Sequence, residues 1–177
     1  MSAITLGVLS SVLLYTLLKA VSRGLALTIL VLDVISNAVS ISGSILLFAP
    51  LIILQGDGNL SALTPPQLSS LALLSIKLYE SVYAISPGLF SGSCLLTGYL
   101  IFRSTFLPKA IGVVLALAGA CYLVNTFVAL MPKGFADYLF PWIFLPILVG
   151  EGTLALWLLI AGVNSAKWDA IADAGKI

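Results

Sequence analysis

Two carboxyl side chains stand where an apolar chain tolerates them least. Asp33 lies about nine residues into one long apolar run and Glu151 about ten residues into another, so both fall near the bilayer midplane if those runs cross a membrane. Ionisable groups at that depth are costly and mark functional positions by default. Asn37 follows Asp33 by one turn on the same helix face and can share its site. Two carboxyls facing each other across a helical bundle would favour a shared proton or a bound cation. The competing expectation is that each is a neutral, hydrogen-bonded packing contact between helices.

Other chemistry finds little support. The chain has no histidine, which removes the commonest general base and transition-metal ligand. Cys94 and Cys121 lie in different apolar segments with no second thiol at ligand spacing, so neither a disulfide framework nor a zinc site is expected. No nucleophile–base pair, phosphate loop or metal-ligand cluster is present, and serines such as Ser93 have no histidine partner. The expected protein is therefore not an enzyme and needs no cofactor, although a lipid or lipophilic pigment such as a quinone or carotenoid could lie against Phe90, Tyr99, Phe102, Tyr122 and Phe127. Small residues form stripes at Ser36, Ser40 and Ser44, at Gly88 and Gly92, and at Gly112, Ala116 and Ala120. That spacing lets helix backbones approach closely.

The elements that must position these residues follow from composition. With 60% hydrophobic and 8% charged residues and a mean hydropathy of +1.17, the chain departs far from the mix of a soluble domain, about 25% charged. An all-α, polytopic transmembrane bundle in a single domain, 1–177, is expected. A net charge of +1 argues against nucleic-acid binding, which needs a basic patch or stripe. No cleavable signal peptide is expected, because Lys19 and Arg23 follow the first apolar stretch where a small-residue cleavage site would stand.

A crossing needs about 20 apolar residues. The runs place five spans, at 4–18, 24–54, 80–102, 110–131 and 141–163. The first is short for a crossing. The second, at 1.5 Å per residue, reaches about 46 Å and is expected to tilt and break at Pro50. Residues 55–67 read as the longest extramembrane loop. Because Lys77 and Glu80 would be costly within the bilayer, the apolar stretch after that loop is divided there, with 68–79 an interfacial helix and Lys77 and Glu80 an ion pair at the outer surface. Short loops at 103–109 and 132–140 follow, and a polar tail with Lys167 and Trp168 ends the chain.

Basic residues set the orientation. Lys19, Arg23, Arg103 and Lys109, with Lys167 and Lys176, fall on one side, which the positive-inside rule puts in the cytoplasm together with the C-terminus. The expected location is the inner (plasma) membrane, with those residues anchored among anionic headgroups.

The stretch GYLIFRSTFLPKAIGVVLALAGACYLVN at 98–125, followed by VGEGTLALWLLIAGV at 149–163, resembles a bacterial membrane family, domain of unknown function 4386. The resemblance rests on Gly98, Tyr99, Arg103, Ser104, Leu107, Pro108, Lys109, Tyr122, Gly150, Glu151 and Trp157, and extends more loosely back through Val21. It implies a membrane-embedded helical fold and no particular activity. It also implies a further N-terminal span, and departures at Asp33, Ser36, Tyr79 and Glu80, which leave Glu151 as the carboxyl the family pattern shares. The leading functional expectation is a non-catalytic accessory or structural subunit packed against other membrane proteins and lipids. A small proton or cation transporter using Asp33 and Glu151, and a binder of a lipophilic molecule, are the alternatives.

Overall fold

The computed structural model describes residues 2–55, 58–129 and 141–174, with side chains at 6–55, 60–129 and 141–173. Among them the fold is all-α. The helices are α1 (Ser2–Leu18), α2 (Arg23–Ile45), α3 (Ala49–Gln55), α4 (Pro65–Arg103), α5 (Lys109–Ala129), α6 (Phe144–Ile160) and α7 (Ser165–Ala174), with a 3-10 turn at Gly58–Ala62. Residues 23–55 as one bent unit, α4 and α5 are each long and apolar enough to cross a membrane, and α6 with α7, bent by 99°, can supply a fourth crossing. These helices make the chain a membrane protein. The expected loop 132–140 lies outside the described residues.

Packing follows chain order: α1 lies on α2, α2 on α4, α4 on α5, and α5 on α6, while α3 lies on α4. Each consecutive pair is antiparallel, as the crossing residues record. Gly43 meets Val82 and Gly92 meets Leu32 between α2 and α4, whereas Gly88 meets Thr126 and Gly98 meets Gly112 between α4 and α5. Among the described residues no sustained packing joins α1 to α6. The bundle is thus an open crescent with α4 at its centre and α1 and α6 at its two ends.

The α4–α5 crossing shows why small residues are needed. A methyl group added at Gly98 would lie 2.6 Å from the Gly112 carbonyl oxygen, and one at Gly112 would lie 2.6 Å from the Gly98 carbonyl oxygen. Backbone meets backbone, so nothing can yield. The stripe bends away from the expected residues, however. Ala116 continues the seam, but Ala120 faces outward and Gly119 is buried in its place. Steps of four residues drift by about 40° each at 3.6 residues per turn, so the seam returns after seven residues, not eight. On α2 the same geometry buries Gly43, while Ser44 turns its hydroxyl to the Ser40 carbonyl of its own helix.

The expected division at Lys77 and Glu80 is not there. Residues 65–103 form one helix of 39 residues, about 58 Å long. Even a 40° tilt in a 30 Å hydrocarbon core accounts for only about 39 Å, so α4 continues past the apolar layer. Lys and Glu are good helix formers. They mark a change of surroundings, and the backbone hydrogen bonds run through it. Both are exposed, and no ion pair joins them among the described residues. The helix start was encoded within the expected loop: Gln67 Oε1 accepts from the Thr64 backbone N–H at 2.8 Å, and Pro65 and Pro66 occupy the first turn, a capping box with proline where its missing N–H is harmless.

The expected break near Pro50 lies one turn earlier. Leu46, Leu47 and Phe48 make tight bonds to residues three back, because Pro50 has no N–H for the carbonyl of Leu46 and its ring crowds that turn.

One end of the bundle carries Lys19, Arg23, Arg103 and Lys109 at the C-terminus of α1, the N-terminus of α2, the C-terminus of α4 and the N-terminus of α5. Arg103 lies over the Tyr99 ring and Lys109 over the Phe102 ring. In the expected polar tail, Ser165–Ala174 form α7. Gly162, at a φ of 64°, lets the chain leave α6 in the left-handed conformation that favours glycine. Asn164 then caps α7 through Oδ1, which accepts from the Lys167 N–H at 3.1 Å. Trp168 Nε1 donates to the Leu17 carbonyl at 2.9 Å, so α7 straps the free end of α6 to that of α1. Beneath it, Phe106 and Leu107 of the short basic loop are buried in the core with Leu18, Leu100 and Ile111.

Candidate functional site

Inside the crescent lies a cavity of about 490 Å³, walled by α1 and α6 and floored by α2, α4 and α5. Both carboxyls line it, as does Asn37. Its size falls within the range of small-molecule pockets, about 300–1,000 Å³.

Asp33 reaches the cavity because of its place on α2. Residues Ala26, Ile29, Asp33 and Ser36 recur at three- and four-residue steps and are all buried, so the packed face of the helix carries the carboxyl inward. Asp33 is 4% exposed. Ser93 on α4 and Ser11 on α1 lie beside it, but the Ser11 hydroxyl donates to the Gly7 carbonyl at 3.0 Å, and Asp33 Oδ1 has no hydrogen-bond partner among the described residues. Asn37 does not complete it: Nδ2 donates at 2.9 Å to the backbone carbonyl of Asp33. The Asn37 side chain instead meets α1 at Gly7, where an added methyl group would come within 3.2 Å of Oδ1.

Glu151 enters from the α6 wall. Gly150 beside it packs so closely on α5 that a methyl group there would lie 2.6 Å from the Ala118 Cβ. That contact brings α6 near enough for Tyr122 of α5 to donate its hydroxyl to Glu151 Oε1 at 2.7 Å. The Tyr122 ring meets Phe90 edge-on, with centroids 5.5 Å apart. Cys94, buried on α4, lies within electrostatic range of both carboxyls.

A third group of polar residues sits beside Pro87. Ser36 Oγ donates to the Ser86 carbonyl at 3.0 Å, Ser86 Oγ donates to the Ser36 carbonyl at 3.1 Å, and Ser40 Oγ lies 2.6 Å from Ser86 Oγ. Pro87 removes one N–H from the helical ladder of α4. Hydroxyls from a neighbouring helix support such a position in lipid.

The cavity therefore brings together Asp33, Asn37 and Glu151, with Ser36 and Ser40. Gly88, Gly92, Gly112 and Ala116 serve helix contacts around it. The expected aromatic groove is divided: Phe90 and Tyr122 line the cavity, whereas Tyr99, Phe102 and Phe127 are exposed on the outer surface. Sequence reasoning missed Ser86, Ser93 and Thr97, which lie on one face of α4 at steps of seven and four. That polar periodicity was available in the sequence.

No curated protein and no solved structure matches the chain. Residues 1–162 match a family described as Domain of unknown function (DUF4386), so the match takes in α1 through α6 and every residue that lines the cavity. The chain belongs to the DUF4386 family.

Proposed function

We propose that this protein is a non-catalytic integral membrane protein that binds a small lipophilic molecule within the crescent. The observation that carries the reading is the shared cavity: two carboxyls, from α2 and α6, line one space of about 490 Å³. Leu14, Leu115 and Leu158 supply apolar lining and the serines supply hydrogen-bonding groups, the mix that orients a ligand of modest size. Because the space lies between α1 and α6, which are not packed on each other, a ligand dissolved in the bilayer can enter sideways. We place the basic end, with α7, in the cytoplasm by the positive-inside rule, in a bacterial plasma membrane.

The test is to purify the chain in mild detergent, extract it with organic solvent and analyse what is released by mass spectrometry. The same is done for Ala155→Phe, which fills the cavity from α6. A stoichiometric compound released by the wild type and lost from the variant supports the reading. Equal release from both removes it.

A second reading, an accessory subunit of a larger membrane complex, draws on α3 and the first half of α4. These leave Leu51, Ile52, Leu73 and Leu74 exposed, as is Phe48 just before α3. Co-purification with other membrane proteins in fixed stoichiometry is its test.

A further inference from the structure

Resting on the binding reading above, we infer that the ligand is a lipophilic organic cation, an alkylamine by chemical class, with its charged nitrogen on Asp33.

The electrostatics of the cavity are one-sided. Two carboxyls line it, and no lysine or arginine is among the lining residues. Lys19, Arg23, Arg103 and Lys109 stand together at one end of the bundle. An ionised carboxyl there would repel an anion or a carboxylate-bearing lipid and attract a cation, in a medium that screens little.

The two carboxyls are not equivalent. Glu151 already accepts from Tyr122. Asp33, 96% buried by its 4% exposure, keeps Oδ1 without a donor. Buried acceptors in native structures have a partner, and an N⁺–H group of a ligand is the donor a carboxyl takes most strongly. Ser11 and Ser93 lie beside the carboxyl, and the residue lines the cavity.

The surrounding walls suit the same ligand. Tyr83, Phe90 and Tyr122 line the cavity, and aromatic rings attract a desolvated cation. Leu14 and Leu158, from the two ends of the crescent, flank the space where an alkyl chain would run toward lipid. Two acids of unequal standing fit one monocation: Asp33 as the counter-ion, with the Glu151–Tyr122 pair lining the α5–α6 side.

The experiment uses the full chain in nanodiscs of neutral phospholipid and three probes of equal chain length: dimethyldodecylamine, dodecanol and dodecanoate. Binding is measured by equilibrium dialysis against empty nanodiscs, which subtracts partition into lipid. The amine is expected to bind at least about tenfold more tightly than the alcohol, the gain of one charge-assisted hydrogen bond, with the carboxylate weakest. Asp33→Asn is expected to bring the amine down to the level of the alcohol, and Glu151→Gln is expected to reduce the amine preference less than Asp33→Asn does. Equal binding of amine and alcohol by the wild type overturns the cation assignment and leaves the pocket in place, and so does an amine preference that survives Asp33→Asn. Saturable binding of none of the three overturns the pocket reading as well. The wild-type comparison stands even if Asp33→Asn fails to fold.

Discussion

Tyr122 on α5 and Glu151 on α6 are joined by a 2.7 Å hydrogen bond from the phenol to Oε1. It is the polar counterpart of the close contact between Gly150 and Ala118 one turn of the interface away. Removing the donor as Tyr122→Phe leaves a carboxyl facing an apolar ring, and a loss of about 1–2 kcal/mol in stability is expected. The double variant with Glu151→Gln should lose less than the sum of the single changes. Thermal unfolding in detergent reads the cycle, and strict additivity would remove the bond from the account.

Gly98 and Gly152 are both helical glycines, and they should respond in opposite ways to alanine. At Gly98 the new methyl group would sit 2.6 Å from a backbone oxygen, while at Gly152 nothing lies within 4 Å. Gly98→Ala should separate α4 from α5 and lower the unfolding temperature sharply. Gly152→Ala should be neutral or raise stability by up to about 1 kcal/mol, the helix propensity difference. Comparable melting temperatures for the two variants would show that the α4–α5 seam can give way.

Ser86 is the hub of the hydroxyl cluster beside Pro87, since both Ser36 and Ser40 reach it. Ser86→Ala should therefore cost more than Ser40→Ala, by about 1 kcal/mol. Unfolding of the two variants side by side checks the order, and a larger effect at Ser40 contradicts it.

Trp168 ties α7 to the end of α1 through Leu17. Trp168→Phe keeps the ring's apolar contact and deletes only the donor, so the fold should survive while the strap loosens. Hydrogen exchange is expected to quicken in residues 165–173 and at the C-terminal turn of α1, with α4 and α5 unaffected. Unchanged exchange at both places would mean that apolar contact alone holds α7.

Some of this protein was readable from residue types alone. Apolar runs of bilayer length force helices, because lipid offers no partner for a free backbone group. Asp33 and Glu151 stood out because charge is scarce at that depth. The glycine and serine stripes announced close crossings. Lys77 and Glu80 hid how far back α4 begins, since they mark a change of surroundings that a helix crosses without losing a hydrogen bond. The sequence could not tell Gly119 from Ala120, or Gly43 from Ser44, at the seams, because that choice depends on the drift of a seam along two packed helices. Whether two carboxyls 118 positions apart in sequence face one space or two depended on the order of packing around α4 and on the strap that Trp168 makes between α6 and α1. Composition and periodicity act within one helix, and they determined what the chain is made of. The shared cavity arises from contacts between helices, and only the tertiary structure decided it.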